Sequence, residues 1–353
     1  MDPKTVDVYE ANASAWVTQK QRPVPGSLGS FAARAPRGIR GDLGSGPGWH
    51  SAALGSPVVA LDAAFAMLER VPEFAPDAWR VQGDLERLPF RAGALSGAWA
   101  HKSYMHVPAE RLPMALADLH RAVALGGAVH LQVTCDQLPT AGNDPFTGRH
   151  FTHFTTAEFR EIVEGAGFEV LSSSDDGEEW IDVEATRAHL LPDTVGAGMR
   201  VLVVGLNPSI LSADKGFGFA RPGNRFWPAA VASGLVTEAR NPSRALRVDG
   251  VGMTNLVRRP SRSAAELTRD EYRAGAARLE RLCAWLRPGA VCFLGVTGYR
   301  VAVDDHAQLG WQDRTFGGSR VYVMPNPSGL NAHAKPADFV DHFRAVQEPR
   351  RSA

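Results

Sequence analysis

Cysteine is scarce in this 353-residue chain: Cys135, Cys283 and Cys292 are scattered, with no motif spacing. A set so sparse and odd in number argues against a disulfide framework and fits a reducing cytoplasm. It also falls short of the four thiolates that an iron–sulfur cluster usually takes. No apolar run approaches the roughly 20 residues of a membrane-spanning helix, so no membrane partner is expected. The opening residues, MDPKTVDVYEANASAWV, lack a basic segment followed by an apolar one, so no secretory signal is expected. Net charge is missing too, because 38 basic residues balance 38 acidic ones. The balance is uneven: residues 1–192 hold 16 basic and 24 acidic side chains, and residues 193–353 hold 22 and 14, giving −8 and +8. A basic half suits a polyanionic partner; two solvated surfaces of opposite sign are the plainer reading. The length favours two domains. The stretch 190–198, LLPDTVGAG, marks their boundary. The expected division is a domain at 1–191, a linker at 192–199 and a domain at 200–353.

What is present in the second half is concentrated in 201–227, VLVVGLNPSILSADKGFGFARPGNRFW. Residues 201–204 read as a buried parallel strand bounded by Gly205. In Gly205-Leu206-Asn207-Pro208-Ser209 the Gly and Pro forbid a simple helical continuation. Strand ends of this kind are where open α/β sheets place ligands. Gly216-Phe217-Gly218-Phe219 sets two rings among glycines, where backbone can approach a flat ligand, and Asn224-Arg225-Phe226-Trp227 opens a helix. A second strand, 321–324, runs into Asn326-Pro327-Ser328-Gly329-Leu330-Asn331. Strands are also expected at 251–256 and 290–294, and helices at 269–286, 298–303 and 335–346. Four strands alternating with helices imply a three-layer α/β domain with a mainly parallel sheet.

The two motifs, in this order and each at a strand end, resemble those of the mismatch-specific uracil-DNA glycosylases and thymine-DNA glycosylases. The resemblance implies a flipped base held in a closed pocket. Asn207 would be the catalytic residue: not a base, but an amide whose oxygen aims a water at the anomeric carbon. Phe219 would stack on the base, and backbone N–H groups near Leu206 and Phe219 would stabilise the leaving anion. Ser212 would crowd the thymine methyl. Asn326 would stand where fast uracil glycosylases have a donating His. Gly329, Leu330 and Asn331 would form the wedge that replaces the flipped nucleotide in double-stranded DNA. Three positions depart from the family pattern: Ser209 for a Gly, Asn331-Ala332 for a pair ending in Arg, and Asn255 where some bacterial members have Lys. The missing Arg bears on pairing with the opposite guanine, for which His333 or Arg314 could compensate. No cofactor or metal is implied for this half.

In the first half a helix is expected at 9–20. Gly41-Asp42-Leu43-Gly44-Ser45-Gly46-Pro47-Gly48 follows as a strand end turning into a glycine loop, and Asp62 ends a second strand, 58–61. Glycines let a nucleoside lie against the backbone, and an acid at the next strand end can accept from both ribose hydroxyls. A dinucleotide site would show similar features; Asp42 within the loop argues against it. DLGSGPG resembles the first motif of class I S-adenosylmethionine-dependent methyltransferases, and the resemblance spans roughly residues 8–183. It implies S-adenosyl-L-methionine bound by Asp42, Gly44, Gly46, Gly48 and Asp62, with Asp84 and Leu85 at the adenine. It names no methyl acceptor. His101, His106, His150 and His153 are the candidates for contacting one, with a hydrogen-bonded structural role the commoner fate of a lone His. The acidic run 175–184 reads as a solvated edge or hairpin.

The expected architecture is α/β throughout: a Rossmann-like methyltransferase sheet, then a three-layer α/β/α domain like uracil-DNA glycosylase with a four-stranded, mainly parallel sheet. The expected activity is a cytoplasmic, nucleoid-bound repair glycosylase for uracil in U·G pairs, fused to a methyltransferase. The competing reading is a methyltransferase delivered to nucleic acid by a non-catalytic binding domain; Asn207 argues against it, since binding alone would not require that amide.

Overall fold

A computed structural model of the chain describes residues 1–20, 24–136, 146–329, 331 and 334–348. They fall into two compact units, Met1–Ala188 and His189–Ala353.

The first unit opens with α1 (Pro3–Gln19). This helix starts earlier than the apolar pattern alone implies, because the Asp2 side chain accepts from the Thr5 N–H and caps it, with Pro in the first turn. Then follow α2 (Ser27–Arg34), β1 (Arg40–Leu43), β2 (Val58–Asp62), α3 (Phe65–Arg70), β3 (Trp79–Gln82), β4 (Leu95–His101), α4 (Leu112–Ala122), β5 (Val123–Thr134) and α5 (Thr156–Gly165). A hairpin of β6 (Phe168–Asp175) and β7 (Trp180–Arg187) closes the unit, so the acidic run forms its turn and edge. The strand order is β3-β2-β1-β4-β5-β7-β6; the first five are parallel, and β7 and β6 run antiparallel to their neighbours. Every residue of β2, VVALD, is buried, as a parallel strand covered on both faces requires. The order reverses at β1, whose neighbours are β2 and β4. Crossovers leave that point in opposite directions and open a crevice at the carboxyl ends of the strands.

The second unit contains β8 (Val201–Gly205), α6 (Ile210–Lys215), α7 (Phe226–Ala232), α8 (Pro242–Arg247), β9 (Val251–Asn255), α9 (Arg269–Leu286), β10 (Ala290–Leu294), α10 (Val296–Ala302), β11 (Gly310–Trp311), β12 (Arg320–Met324) and α11 (Pro336–Gln347). The sheet order is β11-β12-β10-β8-β9, with β12, β10, β8 and β9 parallel. The four expected strands are these. The fifth, β11, is a two-residue antiparallel addition, too short to leave a periodic signal, whose Trp311 ring lies under the Arg320 guanidinium at 3.7 Å. On one face of the sheet, Phe226, Phe339 and Phe343 are fully buried with Val201, Val203 and Met324. Truncating one of these rings to Ala would cost about 3–5 kcal/mol.

Residues 192–199 are not a free tether. Thr194 and Met253 exchange two backbone hydrogen bonds of 2.8 Å, and buried Asp193 pairs with Arg278 at 2.6 Å. The stretch read as a linker is thus laid along the outer edge of β9 within the second unit, where it satisfies an otherwise open strand edge.

Candidate functional site

In the second unit the site grows from the end of β8. A Cβ at Gly205 would lie 2.7 Å from Asn255 Oδ1, which would have to move, and in ordinary contact with the Phe219 ring at 3.4 Å. Asn207 follows, half-buried. Its Nδ2 donates to Ser261 Oγ at 2.8 Å and to the carbonyls of Pro208 and Arg259, both at 3.2 Å. Three acceptors on one end fix which end is nitrogen. The amide oxygen makes no hydrogen bond to the described residues and is left as an acceptor.

Ser209 caps α6 by accepting from the Ser212 N–H, and α6 ends at Gly216 in the left-handed conformation, φ 71°. The chain then turns through Phe219, which holds φ 60°, a costly value for a bulky residue. Two contacts keep it there: its ring stacks on Phe226 with centroids 4.1 Å apart, and Trp227 Nε1 donates to the Gly218 carbonyl at 2.9 Å. A recess beside Phe219 is walled by Leu191, Thr194, Phe217, Met253 and Asn255.

Of the residues expected to form one base pocket, only Phe219 lines this recess among the described residues. Leu206 instead packs toward α10, where a Cβ on Gly298 would meet its Cδ1 at 2.5 Å. Ser212 is buried, and its hydroxyl is engaged by Ser209 Oγ at 3.0 Å and the Ala220 N–H at 3.3 Å, so it braces the loop. Asn326 lies beyond β12 against Gly295. Its Oδ1 accepts from the Ser328 N–H at 2.9 Å, and its NH2 has no acceptor among the described residues. Asn331, expected in the wedge, is turned back: its Nδ2 donates to the Asn326 carbonyl at 3.0 Å. Exposed Gly329 passes so close to Gly223 that a Cβ would meet the Gly223 carbonyl oxygen at 2.9 Å. Leu330 and His333 lie outside the described residues.

Sequence reasoning treated Arg225 only as part of a motif. Its guanidinium donates to the carbonyls of Ser328 (2.6 Å), Asn331 (2.7 Å) and Ala334 (2.7 Å), and it sits over the Phe339 ring at 4.7 Å. One side chain of the first motif therefore shapes the second. Arg259 carries the carbonyl that anchors Asn207, while its guanidinium bonds Glu271, whose carboxyl is pulled down to about 2 mainly by that contact.

In the first unit a cleft opens at the ends of β1, β2 and β4, and Gly44, Gly46, Asp62, Leu85, His101 and His106 are among its lining residues. Gly44 (φ 72°) touches Ser103: a Cβ there would meet the Ser103 Cβ at 2.4 Å. Gly46 (φ 53°) has nothing within 4 Å of a Cβ position and so leaves its backbone open. Gly48 packs on Val71 and does not line the cleft. Asp62, 8% exposed, accepts from the Gly46 N–H at 2.8 Å and the Ala64 N–H at 2.9 Å. Burial raises its carboxyl to about 6 against those bonds. Asp42 lies within β1, below the cleft, and accepts from Ser51 Oγ at 2.6 Å. Burial raises it to about 7, with Ser51 opposing. Ser51 was not foreseen, because nothing local marks a serine in a loop as the partner of a strand acid.

Asp84 stands apart from the cofactor expectation: it is outside the cleft lining, and its carboxylate pairs with the Met1 amine at 2.7 Å. Of the four histidines, His101 and His106 reach the cleft, whereas His150 bonds Thr152 and His153 bonds the Cys135 carbonyl. Burial pushes His101 down to about 2 and His106 to about 4, so both rings are neutral at physiological pH.

Residues 192–347 match the family model of the uracil DNA glycosylase superfamily, and residues 41–131 match that of the methyltransferase domain. Among solved structures, one similar chain is an S-adenosylmethionine-dependent methyltransferase, possible histamine N-methyltransferase, from Thermotoga maritima: 14% identity over 51% of this chain and 99% of that one, TM-score 0.43. Another is 1,6-didemethyltoxoflavin-N1-methyltransferase of Burkholderia thailandensis with S-adenosylhomocysteine bound: 18% identity, 52% and 85% coverage, TM-score 0.41. A third is a TehB-like methyltransferase from Corynebacterium glutamicum: 20% identity, 53% and 100% coverage, TM-score 0.39. The chain thus joins a Rossmann-like methyltransferase fold in its first unit to a uracil-DNA-glycosylase-like domain in its second.

Proposed function

We propose that the second domain hydrolyses the N-glycosidic bond of uracil in double-stranded DNA, in U·G pairs, as a monofunctional glycosylase. The observation that carries this reading is the Asn207 amide, whose nitrogen faces three acceptors and whose oxygen has no hydrogen-bond partner among the described residues. The oxygen accepts from a water and aims it at the anomeric carbon as the bond breaks toward a cationic sugar and an anionic base. Asn326 complements it, because the amide tied at its oxygen offers an NH2 to the leaving base. An amide donor is weaker than a protonated group, so leaving-group activation is modest and pre-organisation contributes most of the rate. Phe219 supplies a stacking face. Gly329 lets the loop approach DNA, and Leu330 follows it as the wedge. Strand cleavage at abasic sites, measured on U·G, T·G and U·A duplexes, tests the reading. U·G should be cut fastest, and no cut on any uracil duplex would overturn it.

For the first domain we propose methyl transfer from S-adenosyl-L-methionine. The residues present fit that group: Gly46 leaves a space that a Cβ would fill, and Asp62 stands beside it with lone pairs remaining on both oxygens. Asp62 would hold the ribose hydroxyls, Gly44 and Gly46 would give the backbone close approach, and Leu85 would lie at the adenine. Asp42, taken by Ser51, would act through the shape of the loop. When bound, the cofactor supplies an electrophilic methyl group. Neutral His101 at the cleft can accept a hydrogen bond from an acceptor's O–H or N–H, whereas the two ring nitrogens of His106 are engaged by the Tyr9 hydroxyl and the His150 carbonyl. Calorimetry with S-adenosylhomocysteine checks cofactor binding directly, and no heat of binding would remove the proposal.

A further inference from the structure

We propose that Ser261 is a positioning residue that decides which end of the Asn207 amide faces outward; the inference rests on the base-excision reading above. Beyond β9 the chain stays beside the first motif. Leu256 N–H donates to the Gly205 carbonyl (2.8 Å), Val257 N–H to Leu206 (2.9 Å) and Ser261 N–H to Pro208 (3.2 Å). Residues 256–261 thereby continue alongside 205–209 after the strands end, and Ser261 forms an isolated parallel bridge with Ser209.

Ser261 is only 4% exposed, and its hydroxyl proton is committed: Oγ donates to the Ser263 carbonyl at 2.7 Å. Toward Asn207, Oγ can therefore only accept. The other two neighbours of Asn207 Nδ2 are carbonyl oxygens, also acceptors. An amide turned the other way would set its oxygen against three acceptors, an arrangement with no hydrogen bond at all. The Ser261 contact, at 2.8 Å, is the shortest of the three and comes from a side chain, so substitution can remove it. The proton arrangement is backed from behind: Ser263 begins a capping box in which its N–H donates to Glu266 at 2.9 Å. A line of bonds thus runs from Glu266 through Ser263 and Ser261 to Asn207. Without the Ser261 hydroxyl only two longer bonds hold the nitrogen, and the oxygen loses its fixed aim. Because Ser261 is buried, the loss falls on rate and not on duplex contact.

The test compares Ser261→Ala and Ser261→Thr with the wild type in single-turnover cleavage of a U·G duplex, alongside duplex affinity and melting temperature. Ser261→Ala should cut about 10-fold to 100-fold slower, the scale of a misaimed group, with affinity within about 2-fold of wild type. Ser261→Thr should recover most of the rate. Adding Ser261→Ala to Asn207→Ala should slow it no further, since both act through one amide. If Ser261→Ala does not fold, Ser261→Cys, whose sulfur is a weak acceptor, replaces it. A wild-type rate in Ser261→Ala, or equal loss in Thr and Ala, overturns the inference. A second readout stands apart from activity: the Asn207 side-chain NH2 protons should exchange slowly in the wild type and fast in Ser261→Ala. Should the wild type fail to cut U·G, the base-excision reading falls, and unchanged NH2 exchange in the variant would overturn the Ser261 inference on its own.

Discussion

In the first domain the polar groups at the candidate site are carboxylates, Asp42 and Asp62, whose oxygens already accept from Ser51, Gly46 and Ala64. In the second they are side-chain amides, Asn207 and Asn326, each tethered at one end and, among the described residues, without a hydrogen-bond partner at the other. A buried carboxylate attracts donors strongly but is raised toward neutral pH by its own burial. An amide does not titrate, so its direction depends on neighbours that accept or donate. The first site is therefore governed by protonation and the second by orientation.

Four outcomes would break or sharpen that contrast. The largest lies in the cofactor cleft. Asp62→Ala should weaken S-adenosylhomocysteine by about 1.5–3 kcal/mol, the scale for a charged acceptor, as read by calorimetry; an unchanged affinity would remove Asp62 from the site. Next is the clamp. Arg225→Ala leaves three carbonyls of the second-motif loop without their donor. It should lower stability by about 1.5–3 kcal/mol in chemical denaturation and weaken duplex binding with it. Arg225→Lys should restore little, because one ammonium cannot reproduce the fork.

The third outcome is a pH dependence of opposite sign in two measurements. Asp62 and Asp42 titrate near 6 and 7 when folded, above their ordinary value of 3.8. At these two acids the folded cofactor-free domain holds protons that the unfolded chain releases, so their contribution to stability is greatest at low pH and falls as pH rises through 6 and 7. The buried rings of His101, His106, His120 and His130, lowered from 6.5, contribute in the opposite direction below pH 6.5. Melting of the cofactor-free wild type beside Asp42→Asn isolates the acid's share: the stability difference between the two should grow from pH 8 to pH 5. Cofactor affinity should move the other way, weakening below pH 6 as Asp62 loses the charge that holds the ribose. Excision by the amide pair should stay nearly flat between pH 6 and 8. The smallest effect concerns the base. Ser212 braces the loop near Phe219 through its hydroxyl, so Ser212→Ala should change the U·G to T·G rate ratio by about 1–3 kcal/mol at most. Equal wild-type rates on T·G and U·G would remove any role for Ser212 in excluding the thymine methyl.

What could be read from the chain alone was whatever is local. Both glycine-rich strand ends, Asp62 after an apolar run, and the two asparagine motifs are contiguous strings whose geometry follows from a strand meeting a turn. What escaped was set by contacts between distant segments. Ser261 meets Asn207 across 54 positions, and Arg225 reaches the second motif across more than a hundred. Neither distance leaves a periodic trace. The Ser-x-x-Glu capping box at Ser263 was a local hint that the loop after β9 is rigid. Asp84 and Asn331 show the converse: motif position suggested an adenine contact for one and a DNA wedge for the other, yet the Met1 amine engages Asp84 and the Asn331 amide is turned back onto its own loop. The stretch 192–199 read as a linker because Pro and Gly punctuate it, while buried Asp193 and its pairing with Arg278 depend on a helix some 85 residues on.

Asn207→Ala in single-turnover cleavage of a U·G duplex, measured beside duplex affinity and melting temperature, tests the central claim most directly. An amide that orients water acts in the transition state, so its loss should slow cleavage on the order of 100-fold or more while affinity and melting temperature stay near wild type. Cleavage at the wild-type rate per folded molecule, with only the melting temperature lowered, would mean that Asn207 merely ties its turn to Ser261 and would contradict the proposed excision chemistry.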